Sequence, residues 1–261
     1  MIMMPQAAPD AVEGRCALCT RTMRVFAIGD PHLGAAVNKP MDIFGDHWKD
    51  HPARIAAAWR ESITDDDLVL VVGDISWGRR LDEAIPDLLF LGRLPGRKLM
   101  TKGNHDTWWD TTTKVTRACP PSLTPVLNTT LLVGDLAIAG VRGWDFPGSP
   151  DYDPADEKTY RRELGRLELA LESARQQAGR YRHLLVMIHY PPMLDPTGRH
   201  DASSAVVSEF VPRMQAAGVN TCVHGHVHGP SLEQVVEGDI GGIRYHCVSA
   251  DWVSFQPRQL L

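Results

Sequence analysis

The sequence predicts an α/β layered fold with much parallel strand pairing, and three observations carry that prediction. Short apolar or β-branched runs alternate with amphipathic helical stretches along nearly the whole chain. Such alternation is the pattern of helices packed on sheets. The 261 residues, 43% hydrophobic and 23% charged, have ordinary globular composition and enough length for a sizeable core. The longest nearly apolar run, Leu131 to Val141, is interrupted by Asp135 and falls far short of the ~20 residues that span a bilayer.

In order along the chain, residues 1–22 read as a polar tail without periodicity, and 23–261 as one domain. Core-like sequence begins at Met23, which reads as the natural start of the folded unit. Strands are predicted at 24–28, 68–72, 98–101, 131–133, 136–141, 184–188, 220–223 and 243–248. Helices are predicted at about 52–63, 81–92, 107–117, 156–178 and 203–217. The helix at 156–178 is the clearest, with Leu164, Leu167, Leu171 and Ala174 on one face. Two Pro/Gly-rich loops, Gly143–Asp156 and Pro191–Ser203, are long enough to form functional rims.

Charge and cysteine content narrow the class. A net charge of −5 offers no diffuse positive field, so duplex nucleic acid is not an expected partner. The five cysteines have no short secreted-type spacing, and Cys222 and Cys247 lie in apolar runs as core thiols. Cys16 and Cys19 form an isolated C-x-x-C without a second pair nearby and read as incidental. No basic segment followed by an apolar stretch opens the chain, so the cytoplasm is the expected location, and no membrane is expected.

The chemistry lies at the C-terminal ends of the apolar strands. Val25–Ile28 runs into Gly29-Asp30-Pro31-His32, Leu68–Val72 into Gly73-Asp74, and Leu99–Thr101 towards Gly103-Asn104-His105-Asp106. Leu184–Ile188 ends at His189, and Thr221–Val223 at His224-Gly225-His226-Val227-His228. Strand C-termini are where open α/β sheets bind ligands. Glycine precedes Asp30, Asp74, Asn104 and His226, letting main chain approach a ligand closely. In extended backbone, residues i and i+2 share a face, which would aim Asp30 with His32, and His226 with His228, into one cavity. Asp30, His32, Asp74, Asn104, His189, His226 and His228 supply seven N/O donors, too many for one tetrahedral ion, and no thiolate. With one carboxylate bridging, they divide between two ions, the arrangement that clamps an in-line displacement at phosphorus.

D-x-H, G-D, G-N-H-D, H and G-H-x-H, in this order over about residues 24–251, resemble the calcineurin-like metallophosphoesterase superfamily. The resemblance implies a four-layer α/β/β/α sandwich of two mixed β-sheets. It implies a first metal held by Asp30, His32, Asp74 and His228, and a second by Asp74, Asn104, His189 and His226. A hydroxide between the ions would be the nucleophile, and His105 would stabilise the transition state and protonate the leaving alkoxide. Mn²⁺ is the expected metal, with Fe or Zn as alternatives.

Departures within the motifs narrow the branch. Protein Ser/Thr phosphatases of the superfamily carry G-D-x-V-D-R-G, whereas this chain has Gly73-Asp74-Ile75-Ser76-Trp77-Gly78-Arg79. Trp77 offers only a donor N–H and cannot ligate a metal, which disfavours the purple acid branch as well. The motifs are more similar to the bacterial phosphodiesterase-like branch, so a small phosphate ester, a diester or a nucleotide-type molecule, is the expected substrate. The alternatives are a phosphomonoesterase, including one acting on phosphoprotein, and a non-catalytic interaction scaffold on the same fold.

Around this set, Arg142 and Trp77 are candidate substrate contacts, with Arg79, Arg80 and Arg199 reading mainly as surface arginines. His224 could point into the site or support it through hydrogen bonds. Asp106 reads as the N-cap of the helix near Thr107, or as an orienter of His105. Trp108 and Trp109 read as packing residues, His246 as a core-edge histidine, and His47, His51, His183 and His200 as surface or rim.

Overall fold

A computed structural model describes residues 23–261. The predicted tail, the start at Met23 and the Cys16/Cys19 pair turn on residues 1–22, which lie outside the described residues. The strands are β1 (Val25–Ile28), β2 (Leu68–Val72), β3 (Arg97–Thr101), β4 (Leu123–Pro125), β5 (Thr129–Val133), β6 (Leu136–Val141) and β7 (His183–Ile188). They continue with β8 (Met193–Leu194), β9 (Val206–Val207), β10 (Thr221–His224), β11 (Gly238–Ile240), β12 (Ile243–Cys247) and β13 (Arg258–Gln259). The helices are α1 (His51–Ser62), α2 (Leu81–Gly92), α3 (Thr112–Ala118), α4 (Glu157–Arg175) and α5 (Phe210–Ala216).

Two mixed sheets result. One has the order β13-β1-β2-β3-β4, the other β11-β12-β10-β7-β6-β5, and β8 pairs with β9 alone. β1 through β4 run parallel, with β13 antiparallel at the edge. In the second sheet β6, β7, β10 and β12 are parallel, flanked by antiparallel β5 and β11.

Side-chain alternation along the strands builds the layers. Val25 and Ala27 of β1, with Leu68, Leu70 and Val72 of β2, face Ile138, Leu185, Met187 and Val223 across the space between the sheets. The intervening Phe26, Ile28, Val69 and Val71 point outward onto Ile55 and Trp59 of α1 and Leu88 and Leu91 of α2. On the far side, Leu164, Leu167, Leu171 and Ala174 of α4 cover Ala137, Val186 and Cys222. Strands buried on both faces explain the uninterrupted apolar runs in the sequence. The architecture is therefore helix, sheet, sheet, helix, as the motif resemblance implied. Among the described residues no helix is long and apolar enough to cross a membrane.

Two predicted helices begin later than their patterns suggested. The segment predicted from 107 becomes helical only at Thr112, where the Thr111 hydroxyl accepts the Lys114 N–H at 3.3 Å. Asp106 is not free to cap a helix, because its carboxylate is engaged elsewhere. The segment predicted from 203 becomes helical at Phe210. Pro212 fits only the first turn of a helix, and Asp201 captures the Ser203 amide and hydroxyl in a turn of its own. Between them Val206–Val207 pairs with Met193–Leu194.

The two sheets are joined where their parallel strands end. The Gly29 amide donates to the Val248 carbonyl at 2.6 Å, and Gly29 bridges to Ser249. His189, just past β7, brings its Nδ1 within 3.0 Å of the Val72 carbonyl of β2. This seam carries the chemistry.

Candidate metal centre

All seven predicted donors meet at the seam, in two clusters. Asp30, His32 and His228 bring their ligand atoms within 4.8 Å of one another, and Asp74, His189 and His226 do the same. Asn104 completes the second, its Oδ1 lying 2.8 Å from His189 Nε2 and 3.0 Å from His226 Nδ1. Asp74 stands between them: its Oδ2 is 3.8 Å from His32 Nε2 and 3.5 Å from His189 Nε2.

The backbone that places these groups is not extended. Asp30 (φ 55°), His32 (φ 42°), Asp74 (φ 48°) and His226 (φ 75°) all occupy the left-handed region. The i, i+2 argument from extended geometry therefore does not describe them. His226 and His228 serve different clusters, since the left-handed residue swings His226 away from its neighbour. Strained residues of this kind each cost about 1–3 kcal/mol and persist only where surrounding contacts enforce them. Here the His105 amide donates to Asp74 Oδ1 at 2.8 Å, and the His226 amide to Asp30 at 3.0 Å.

The preceding glycines act mainly by making room. A Cβ on Gly103 would collide with Asp74 Oδ1 and a Cβ on Gly225 with Asp30 Oδ2, so each carboxylate rests against a neighbouring strand end.

Second partners fix the imidazoles. His189 Nδ1 lies 3.0 Å from the Val72 carbonyl, an acceptor that keeps a proton on Nδ1 and turns Nε2 toward Asp74 and Asn104. His228 Nδ1 meets Asp251 Oδ1 at 2.8 Å. Its Nε2 is buried with no hydrogen-bond partner and faces Asp30 Oδ1 at 3.4 Å. A buried orphan nitrogen aimed at carboxylates, amid four imidazoles and an amide oxygen, fits a divalent metal site.

Electrostatics point the same way. Burial opposes a charge on His189, but the Asp74 carboxylate, its hydrogen bond and Asp30 together lift it to about 9. Burial likewise opposes a charge on His228, and Asp30 and Asp251 lift it to about 10. Burial also opposes ionisation of Asp74, yet His189 and His32 hold it well below the usual carboxylate range. These two imidazoles hold protons that an incoming metal must displace.

Asp106 takes neither predicted role. It is buried and accepts from the amides of Gly103 (2.8 Å), Ile75 (2.8 Å) and Ser76 (3.2 Å), and from Trp108 Nε1 (2.9 Å). It thereby locks the loop bearing Asp74 to the loop bearing Asn104 and His105. His51 is buried, not at the rim, and its Nε2 lies 3.1 Å from the Pro31 carbonyl, bracing the turn that carries His32. Trp108 and Trp109 are core residues.

Of the remaining candidates, His105 is 47% exposed, its Nε2 4.0 Å from Asp74 Oδ2. Trp77 stacks on His32 with centroids 4.7 Å apart and lies 4.5 Å from His105. The guanidinium of Arg142 is bound to buried Glu163 at 2.6 Å and lies over Trp144. His224 is buried with neither nitrogen hydrogen-bonded, and burial pushes it down to about 4. The predicted hydrogen-bonded support by this side chain is not present. Asp251 was missed; it stands four residues past the end of β12, farther from its strand than Asp30 is from β1.

A clamp of two carboxylates, four imidazoles and an amide oxygen on the strand ends of a four-layer sandwich defines a metal-dependent hydrolase fold. The chain belongs to the calcineurin-like phosphoesterase family, whose model it matches over residues 23–230. It is 35% identical over 77 residues to the Gene 66 protein of Mycobacterium phage L5, covering 30% of this chain and 37% of the phage protein. The Gene 66 protein of Mycobacterium phage D29 is 36% identical over 83 residues, 31% of this chain and 40% of that protein. The match thus spans about two-fifths of the length of these curated relatives. The fold is shared with the structure of a phosphopantetheinyl hydrolase from Mycobacterium tuberculosis, at TM-score 0.53 and 16% identity over 91% of this chain and 95% of that one.

Two substitutions test the scaffold. Gly103→Ala should leave the protein folded by circular dichroism yet displace Asp74, lowering bound metal measured by elemental analysis. Asp251→Ala should weaken metal affinity roughly 10–100-fold, because His228 loses the acceptor that orients it; unchanged affinity by metal titration would show that Asp251 is not needed.

Proposed function

We propose that the protein is a metal-dependent phosphoesterase acting on a small phosphate ester or diester. The observation that carries this reading is the position of Asp74 between two donor clusters, with half-exposed His105 beside it. Asp30, His32, Asp74 and His228 would hold one ion, and Asp74, Asn104, His189 and His226 the other. Mn²⁺ is the first metal to test, with Fe and Zn as alternatives, since mixed imidazole and carboxylate donors do not discriminate sharply. Bound there, two divalent ions supply Lewis-acid polarisation of the phosphoryl group and a lowered pKa for attacking water.

The chain's own groups do the rest. Asp74 keeps the two sites a fixed short distance apart, with the His105 amide holding its outer oxygen. His105 alone among the five imidazoles around Asp74 is neither fully enclosed nor committed to a cluster, so its Nε2 can reach a bound ester. A proton held there passes to the departing oxygen, a contribution worth roughly 10²–10⁴-fold. The phosphopantetheinyl hydrolase shares the fold alone, so the substrate has to be argued from this chain's own cavity.

The direct test is hydrolysis of bis-p-nitrophenyl phosphate and p-nitrophenyl phosphate, with and without added Mn²⁺. Metal-dependent turnover of at least one is expected, with Asp74→Asn losing both metals and activity. Normal metal content and rate in that variant would overturn the bridging role. His105→Ala should keep its metals and lose rate, most with alkyl leaving groups that need protonation. An equal loss with p-nitrophenol and alkyl leaving groups would argue against the acid role.

A further inference from the structure

Beside the two donor clusters a cavity of about 270 Å³ opens to solvent. His32, His105 and His228 form its metal-side wall, and Met41, Phe44, Trp48 and Trp77 form the other, with His47 beside them. No Lys, Arg, Asp or Glu is among the described residues that line it. A second negative charge brought into it would be desolvated against indole and phenyl, and the neighbouring Lys39 ammonium is already seated on the Trp77 ring.

The aromatic wall is held in place. Trp77 stacks on His32 at 4.7 Å, and Lys39 Nζ lies 3.1 Å from the same ring's centroid. Groups that close cannot share a face, so both faces of Trp77 are taken and it meets the cavity by an edge. Its Nε1 donates to the Met41 sulfur at 3.2 Å. Trp48 is buried and sits edge-on to His228 (5.5 Å) and Phe255 (5.0 Å). Phe44 differs: it stands 58% exposed at the mouth, next to Ile43 at 68%. Phe44 and Ile43 together expose an apolar lip at the mouth of the cavity.

Resting on the phosphoesterase reading, we propose that this cavity receives the leaving group. The geometry points to a flat, uncharged, apolar alcohol, an aryl ester above all, with Phe44 closing over it. His105 lies on the boundary between the metal clusters and the cavity. A proton from it therefore reaches an oxygen whose carbon skeleton extends along Trp48 and Phe44. The P–O bond to that oxygen breaks, its electron pair takes the proton, and water supplies the oxygen that replaces it on phosphorus.

The test pairs binding with turnover in the Mn²⁺-loaded protein. Binding of 1-naphthylmethylphosphonate, methylphosphonate and (4-carboxybenzyl)phosphonate is measured by calorimetry. Turnover is measured on 1-naphthyl, phenyl and 4-carboxyphenyl phosphate. The naphthyl compounds should bind best and the carboxylated ones worst. Phe44→Ala should weaken naphthyl binding about tenfold, the effect of exposing part of an apolar contact, and raise KM more than it lowers kcat. Leu169→Ala, an apolar residue 62% exposed on α4, is the control and should change nothing. Equal binding of all three phosphonates, preference for the carboxylated one, or no effect of Phe44→Ala would overturn the assignment. Retained naphthyl preference without turnover of any ester would overturn the hydrolase reading and the leaving-group role with it, leaving an apolar ligand site.

Discussion

The position of one carboxylate governs this structure. Asp74 must face two donor clusters at once, and nearly every local irregularity of the seam can be traced to that demand. Its backbone turns left-handed directly after β2. Gly103 gives up a side chain so that Oδ1 can rest against the next strand end. The His105 amide then fixes that oxygen, and Asp106 binds the Ile75 and Ser76 amides just after Asp74 to the Gly103 amide across the gap. One backbone amide holds the carboxylate directly, and Asp106 ties together the two loops on either side of it.

The fold offsets the strain of that arrangement. Four ligand positions in the left-handed region, at about 1–3 kcal/mol each, persist only on a rigid frame. Three apolar layers provide it, one between the sheets and one under each helical face. Parallel pairing matters as much as burial, since it brings the C-termini of β1, β2 and β3 to one edge and those of β7 and β10 to the edge facing it. The seam between Gly29 and Val248 then closes the two edges on each other.

Much of this was legible because it is written at strand ends. Asp30, Asp74, Asn104, His189 and His226 each come after an apolar run, and burial on both faces makes such runs easy to see. What was not legible depends on contacts between distant residues. Asp106 reads as a helix cap until its carboxylate is found to hold amides some thirty residues upstream. His51 reads as a surface residue because nothing local reveals the carbonyls of Pro31 and His32 beneath it. The short strands β8, β9, β11 and β13 have two or three residues each, too few for any periodicity to show. Pro212 was the one missed local signal: it marks a helix start near Phe210 and excludes a helix running from 203.

Burial also sorts the histidines by task. His189 and His32 are enclosed, their rings fixed by the Val72 carbonyl in one case and by Trp77 and Trp48 in the other. His228 is partly covered and aimed by Asp251. His105 alone has nearly half its side chain open to the cavity, while its backbone amide is committed to Asp74. One residue thus ties the Asp74 carboxylate with its main chain and faces the cavity with its ring. In the proposed mechanism this bond would couple the placement of the acid to the placement of the metals. Trp77, packed against both His32 and His105, extends the same coupling to the aromatic wall. Where related phosphatases place an acidic residue, this chain has a rigid apolar strut that sets the shape of the cavity and leaves its charge unchanged.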